Sequence, residues 1–281
     1  MLSSRLSSNW SEGMAGVRDL IDDLRAEQED LDRMLAGLDE PTWDRVTPAE
    51  PWSIRDTVSH LAFFDEKETQ AISDPGAFAD ETKRRLTNGI ESYMALGVDR
   101  GRSMTPRQVL DWWRAARAAE ISAFERVDPD SQLPWFGPTM KARSAVTARL
   151  METWAHGHDI AEALGVTRAP TDRLYQIAEL GVKTFSWSYL NRGLEVPTER
   201  VRVALRGPSG STRVWNDPMS NSITGPVDEF CLVVAQRRNY RDTALVVEGD
   251  VARIWMEIAQ IFAGPPGPGR PPTGALSDLQ T

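Results

Sequence analysis

From Val17 to Gly165 the chain is patterned for amphipathic helix with few interruptions. Val17, Leu20, Ile21, Leu24, Leu31, Met34, Leu35 and Leu38 recur at intervals of three and four with charges between them. That spacing gathers apolar side chains into one stripe, and Pro41 closes the helix region. In PWSIRDTVSHLAFFDEKE, Ser53 is an N-cap and Asp56, three residues on, completes a capping box. The helix that follows is expected to run to about Ser73, where Asp74-Pro75-Gly76 breaks it. A shorter helix is expected over 80–95. Thr105 as N-cap and Pro106 at the first helical position open another. PDSQLPWFGP reads as a loop, and Lys141–Leu164 as a last long helix ended by Gly165. Four long amphipathic helices joined by loops predict an antiparallel four-helix bundle.

The pattern changes after Gly165. Residues 171–190 read as one helix. VRVALR alternates as a strand does, GPSGS supplies a turn, and TRVW is its returning strand. PVDEFCLVVAQRR is helical, TALVVEG is a short strand, and DVARIWMEIAQIF places Val251, Ile254, Trp255, Ile258, Ile261 and Phe262 on one helix face. The fold class is therefore α+β in two domains, 14–165 helical and 169–272 a small α+β unit. GPPGPGRPPTG is expected to be extended. Residues 1–13 and 273–281 are expected to be disordered, with Met14 an alternative start.

Composition narrows the function classes. The net charge is −9, from 41 acidic and 32 basic residues among 281, which disfavours nucleic-acid partners. No apolar run reaches the 18 or more residues a membrane helix needs, and no signal peptide is evident. A single cysteine, Cys231, excludes an intramolecular disulfide and a cysteine-rich zinc site. Both features fit a cytoplasmic protein.

Two of the three histidines fall in METWAHGHDIAEALG. Glu152 and His156 are four apart and share a helix face, and Asp159 lies near it. His158 is turned from His156 by roughly 200°. A carboxylate and an imidazole at this spacing can hold one cation, and Zn²⁺ accepts both. A third ligand would come from a neighbouring helix, where His60, beside an apolar stripe, is the remaining histidine. By the residues alone, a Glu/His pair at this spacing is more often simply solvated.

The motifs resemble those of DinB-like metal-binding bundles, and more narrowly the mycothiol-dependent maleylpyruvate isomerase group of actinobacteria. Trp52, Ser53, Asp56, His60 and Leu61 match that group's first motif, and Glu152, His156, Asp159, Ala163 and Gly165 its second. The second half is similar to the sterol-carrier-protein-like domain of these proteins, with ITGPVDEFCLVVAQRR and FAGPPGPGR closest to an uncharacterised branch.

The resemblance implies a divalent metal, most simply Zn²⁺, on His60, Glu152 and His156. It also implies mycothiol or a similar small thiol as a metal-activated nucleophile and an electrophilic small molecule as substrate. The reaction would be cis–trans isomerisation or S-transfer. Asp159 would orient His156 or meet the cofactor. Arg237 and Arg238 would meet a substrate carboxylate. Trp52 and Trp154, flanking the motifs, would wall the cofactor pocket. His158 is not carried over as a ligand, and Cys231, inside an apolar run, reads as a buried small hydrophobe. Two other readings remain: a metal hydrolase with Asp159 or Glu162 as base, and a non-catalytic metal- or ligand-binding protein.

Overall fold

The computed structural model describes residues 16–273 except 87–88, 137–138 and 219. Four long helices carry the N-terminal half: α1 (Val17–Leu35), α2 (Ile54–Ser73), α5 (Pro106–Arg126) and α6 (Ala142–Leu164). Three of the boundaries have a clear local cause. The Ser53 hydroxyl accepts from Asp56 N at 3.2 Å while the Asp56 carboxylate accepts from Ser53 N, also at 3.2 Å. Thr105 and Gln108 make the same reciprocal pair at the start of α5. Gly165, with φ +69°, closes α6 in the left-handed conformation that suits glycine.

The expected helix over 80–95 is two helices, α3 (Pro75–Arg85) and α4 (Ile90–Arg102). Asp74-Pro75-Gly76 ends α2 and also starts α3. The Asp74 carboxylate accepts from Ala77 N at 3.0 Å, and Pro75 takes a first-turn position where its missing N–H costs nothing. Gly89, at φ +86°, then separates α3 from α4. The expected loop after α5 contains a two-residue antiparallel pair, β1 (Gln132–Leu133) with β2 (Met140–Lys141).

Two hydrophobic clusters hold these helices. In one, Ile54, Val58, Leu61 and Ala62 of α2 meet Val109, Leu110, Trp113 and Ala116 of α5, with Ile160 of α6. Fully burying each of the larger side chains contributes roughly 1.5–3 kcal/mol. The other cluster starts from Leu20 and Leu24 of α1 and from Val146, Leu150 and Trp154 of α6. It continues without a break into the second half through Tyr175, Ile177, Phe230 and Trp255.

The second half opens with α7 (Leu174–Lys183) and α8 (Phe185–Leu190), not one continuous helix. At the break, the Thr184 hydroxyl donates to the carbonyls of Leu180 and Gly181. The sheet has the order β4-β3-β5-β6: β3 (Arg202–Arg206), β4 (Thr212–Trp215), β5 (Ser222–Pro226) and β6 (Val246–Glu248). The β3–β4 hairpin is as expected; β5, parallel to β3, is an addition. Two helices complete this half, α9 (Val227–Val234) and α10 (Asp250–Ile258). Ile261 and Phe262 lie beyond the end of α10, and Ile254 on it is 46% exposed. The Pro/Gly-rich segment folds back along the second half, and Thr273 N donates to Asp242 at 2.9 Å. Residues 1–13 and 274–281 lie outside the described residues.

Candidate metal centre

His60 sits in the middle of α2, and Glu152 and His156 lie one turn apart on α6; α2 packs against α6. The Nε2 atoms of both histidines turn toward one oxygen, Glu152 Oε2, at 3.9 Å from His60 and 3.4 Å from His156. One ligand atom from each of the three residues lies within 4.8 Å of the others. In a tetrahedral site with bonds near 2.1 Å, neighbouring donor atoms are roughly 3.4 Å apart. The three donors are therefore gathered almost to ligating distance, and they form the candidate metal cluster found among the described residues.

Electrostatics fit the same assignment at His60 and Glu152. Burial pushes His60 down to about 4, so its imidazole is neutral at pH 7, as a ligand must be. Burial alone would raise the Glu152 carboxyl, yet its hydrogen bonding with His156 and His60 carries it well below the usual carboxylate range. Burial works to lower His156, but Asp159 and Glu152 raise it above its ordinary value. The donors are two imidazoles and an ionised carboxylate, a set that suits a divalent cation and leaves coordination positions free. His60 Nδ1 and His156 Nδ1 are both buried with no hydrogen-bond partner, the second facing Asp159 across 3.4 Å.

The surroundings of His156 reach into the second half. Its Nδ1 lies 3.4 Å from Asp159 Oδ2. Asp159 is 1% exposed. It accepts from Arg237 Nη2 at 2.8 Å and Nε at 3.3 Å, and Arg270 Nη2 lies 3.6 Å away. Burial would raise the Asp159 carboxyl, but His156 and Arg237 hold it below its usual range. Asp159 thus stays an anion facing the outer nitrogen of a candidate ligand histidine. Such a carboxylate fixes the ring's tautomer and orientation.

The other sequence-predicted residues separate into near and far. Trp52 packs over both histidines, with ring centroids 4.7 Å from His60 and 5.9 Å from His156. Its carbonyl is pinned by Thr47 N and Oγ1 at 2.8 and 2.9 Å. Trp154 is on another face of α6, where it stacks on His158 and lines a cleft with Glu27, Arg168 and Arg173. Arg237 is engaged with Asp159. Arg238 lies where its charge helps to lower His158, after the larger effect of burial. His158 Nε2 faces Glu162 at 3.9 Å, away from the triad. Cys231 is fully buried, its thiol donating to Leu174 O, and burial pushes its pKa well up.

Sequence reasoning passes over three features. Phe64, one turn after His60, forms the far wall of the site at 4.7 Å from its ring; the i,i+4 spacing carries that signal. Arg149, one turn before Glu152, is 2% exposed and bridges Asp65 and Glu120 beneath the site. An arginine on a mostly apolar helix face is its signal. Arg270 sits in a Pro/Gly stretch, with no local signal at all.

Residues 24–161 match the model of the mycothiol maleylpyruvate isomerase N-terminal domain. Over 258 residues, 92% of this chain and 100% of the relative, it is 39% identical to the uncharacterised protein Rv0036c of Mycobacterium tuberculosis H37Rv. The counterpart MT0041 in strain CDC 1551 matches equally. The chain belongs to the family of these mycobacterial proteins, and residues 24–161 carry the match to the mycothiol maleylpyruvate isomerase N-terminal domain. Crystal structures of the mycothiol-dependent maleylpyruvate isomerase, and of a histidine-to-alanine mutant of it, share its fold. Each aligns with a TM-score of 0.55 over 79% of this chain and 90% of theirs, at 15% identity.

Proposed function

We propose that this chain is a divalent-metal enzyme acting on an electrophilic small molecule with a low-molecular-weight thiol, of the mycothiol type, as nucleophile. The reaction class is cis–trans isomerisation or S-transfer. The observation that carries this reading is the convergence of His60, Glu152 and His156 donor atoms within 4.8 Å, with both histidines buried. The family assignment supplies the thiol. In this reading residues 14–165 are a DinB-like antiparallel four-helix metal-binding domain and 169–272 a sterol-carrier-protein-like domain. The protein works in the cytoplasm, and no described helix is long and apolar enough to cross a membrane.

The residues divide the work. His60, Glu152 and His156 would hold the cation, most simply Zn²⁺. A divalent cation in such a donor set lowers the pKa of a bound thiol, making the nucleophilic thiolate available near neutrality. The charge of Asp159, 3.4 Å from His156 Nδ1, favours the proton on that nitrogen, which leaves the Nε2 lone pair facing inward. Trp52 and Phe64 press on His60 from the two sides and keep water from the ligand rings. Cys231, buried and held as a thiol, leaves the nucleophile to the cofactor.

The hydrolase alternative requires a free general base. Both proposed bases are engaged, Asp159 by His156 and Arg237 and Glu162 by Arg270, which favours the thiol reading. The test is incubation of the metal-loaded protein with mycothiol and a panel of cis-configured and alkylating electrophiles. Thiol-dependent isomer or S-conjugate is expected. Turnover of ester or amide substrates without thiol, and none with it, would overturn the reading.

A further inference from the structure

We infer that Arg270, carried by the C-terminal strap, is a positioning residue of the metal centre: it fixes Asp159 and, through it, the ring of His156. The inference rests on the metal-binding reading above and extends the site to a segment far from it in sequence.

The strap is the chain from Ala259 to Thr273, and it is bound along its length. Gln260 N donates to Ser188 Oγ at 3.1 Å and Ile261 N to Val234 O at 3.0 Å. The buried Gln260 side chain donates to the carbonyls of Phe262, Gly264 and Pro265, and its oxygen accepts from Gly267 N at 3.0 Å. Arg192 Nη2 donates to Gly267 O at 2.7 Å, and Asn239 Nδ2 to Arg270 O at 3.0 Å. Five prolines between Pro265 and Pro272 restrict the unfolded strap, so less entropy is lost in fixing it. These anchors act on backbone and do not involve the Arg270 guanidinium.

That guanidinium leaves the strap and reaches α6. Arg270 Nη1 lies 3.0 Å from each Glu162 oxygen, and Nη2 lies 3.6 Å from Asp159 Oδ1. Asp159 and Glu162 are one turn apart on α6, directly after His156. Asp159 Oδ2 faces His156 Nδ1 and Arg237 Nη2, while Oδ1 has the longer 3.3 Å bond from Arg237 Nε and the charge of Arg270. Without Arg270, Arg237 still holds both oxygens, but Oδ1 keeps only the 3.3 Å bond from Nε and loses its second cation, so the carboxylate is held less firmly against the histidine. The order of contact is strap, Arg270, Asp159, His156, cation.

The experiment measures Zn²⁺ affinity by competition with a chromophoric chelator. The proteins are the full-length chain, Arg270→Met, Asp159→Asn and the double variant. Met keeps the apolar stem of Arg270 and removes its charge, and melting temperature with helix content checks that each variant is folded. Asp159→Asn is expected to weaken Zn²⁺ binding ~10- to 100-fold, the usual cost of losing an outer-shell partner. Arg270→Met, one contact further out, is expected to weaken it about threefold to tenfold. In the Asp159→Asn background Arg270→Met should cost nothing more, because its route to the metal is already cut. Equal affinity of Arg270→Met and the unaltered protein would overturn the inference and leave the metal site standing. Additive losses in the double variant would overturn it as well. Failure of the unaltered protein to bind Zn²⁺ would overturn both readings.

Discussion

His156 and His158 are two residues apart and do different work. One faces Glu152 and His60; the other stacks on Trp154 across the helix. Helical geometry makes that separation readable in sequence, because i,i+4 shares a face and i,i+2 does not. The partners of the outer atoms are not readable: Asp159 meets Arg237, 78 positions away along the chain. Nor is the charge state of the interior.

Two turns past His60 on α2, Glu68 is 1% exposed, and burial pushes its carboxyl up to about 7. Folded Glu68 keeps its proton while the unfolded chain releases it near 4.5. Stability therefore falls as pH rises from about 4.5 through about 7. Glu68→Gln should raise stability at pH 8 by about 1–3 kcal/mol and leave it unchanged at pH 4. Urea unfolding at the two pH values checks this; an equal effect at both would contradict it. Arg149 poses the opposite case, a buried cation between Asp65 and Glu120. Arg149→Met leaves two buried acids facing each other and should cost ~3–5 kcal/mol at pH 7, measured by the same method.

At the scale of elements, caps were the most legible feature. Ser53 and Thr105 start their helices where the sequence places them, since a capping box is a contact over three residues. Ser53→Ala should lower stability by ~1 kcal/mol, and because α2 carries His60 it should loosen metal binding in parallel. An unchanged melting temperature would contradict the cap.

Packing between elements was less legible. A Cβ added to Gly101 of α4 would come 1.8 Å from Ser59 Oγ of α2, a contact no local pattern announces. Gly101→Ala should cost about 1–3 kcal/mol by overpacking, read from thermal unfolding. Strand β5 escaped for a related reason. It is short, contains Gly225 and ends on Pro226, and it exists because β3 lies parallel beside it.

At the scale of the molecule, the change of pattern at Gly165 was visible, and the α+β character of the second half followed from it. What the pattern could not convey is that the halves share a core. Leu20 and Leu150 belong to the same hydrophobic cluster as Phe230 and Trp255, and the strap adds Arg270 across the junction. Cooperative unfolding is expected from such continuity. Calorimetry of the full chain should show one transition with calorimetric and van't Hoff enthalpies in agreement; two resolved transitions would contradict the shared core.

Elemental analysis bears most closely on the proposed three-ligand metal centre. The unaltered protein, His60→Ala, Glu152→Ala, His156→Ala and His158→Ala are purified from metal-replete growth and their metal content is measured per chain. About one equivalent is expected in the unaltered protein and in His158→Ala, and little or none in the other three. Equal metal in all five, or loss in His158→Ala alone, would contradict it.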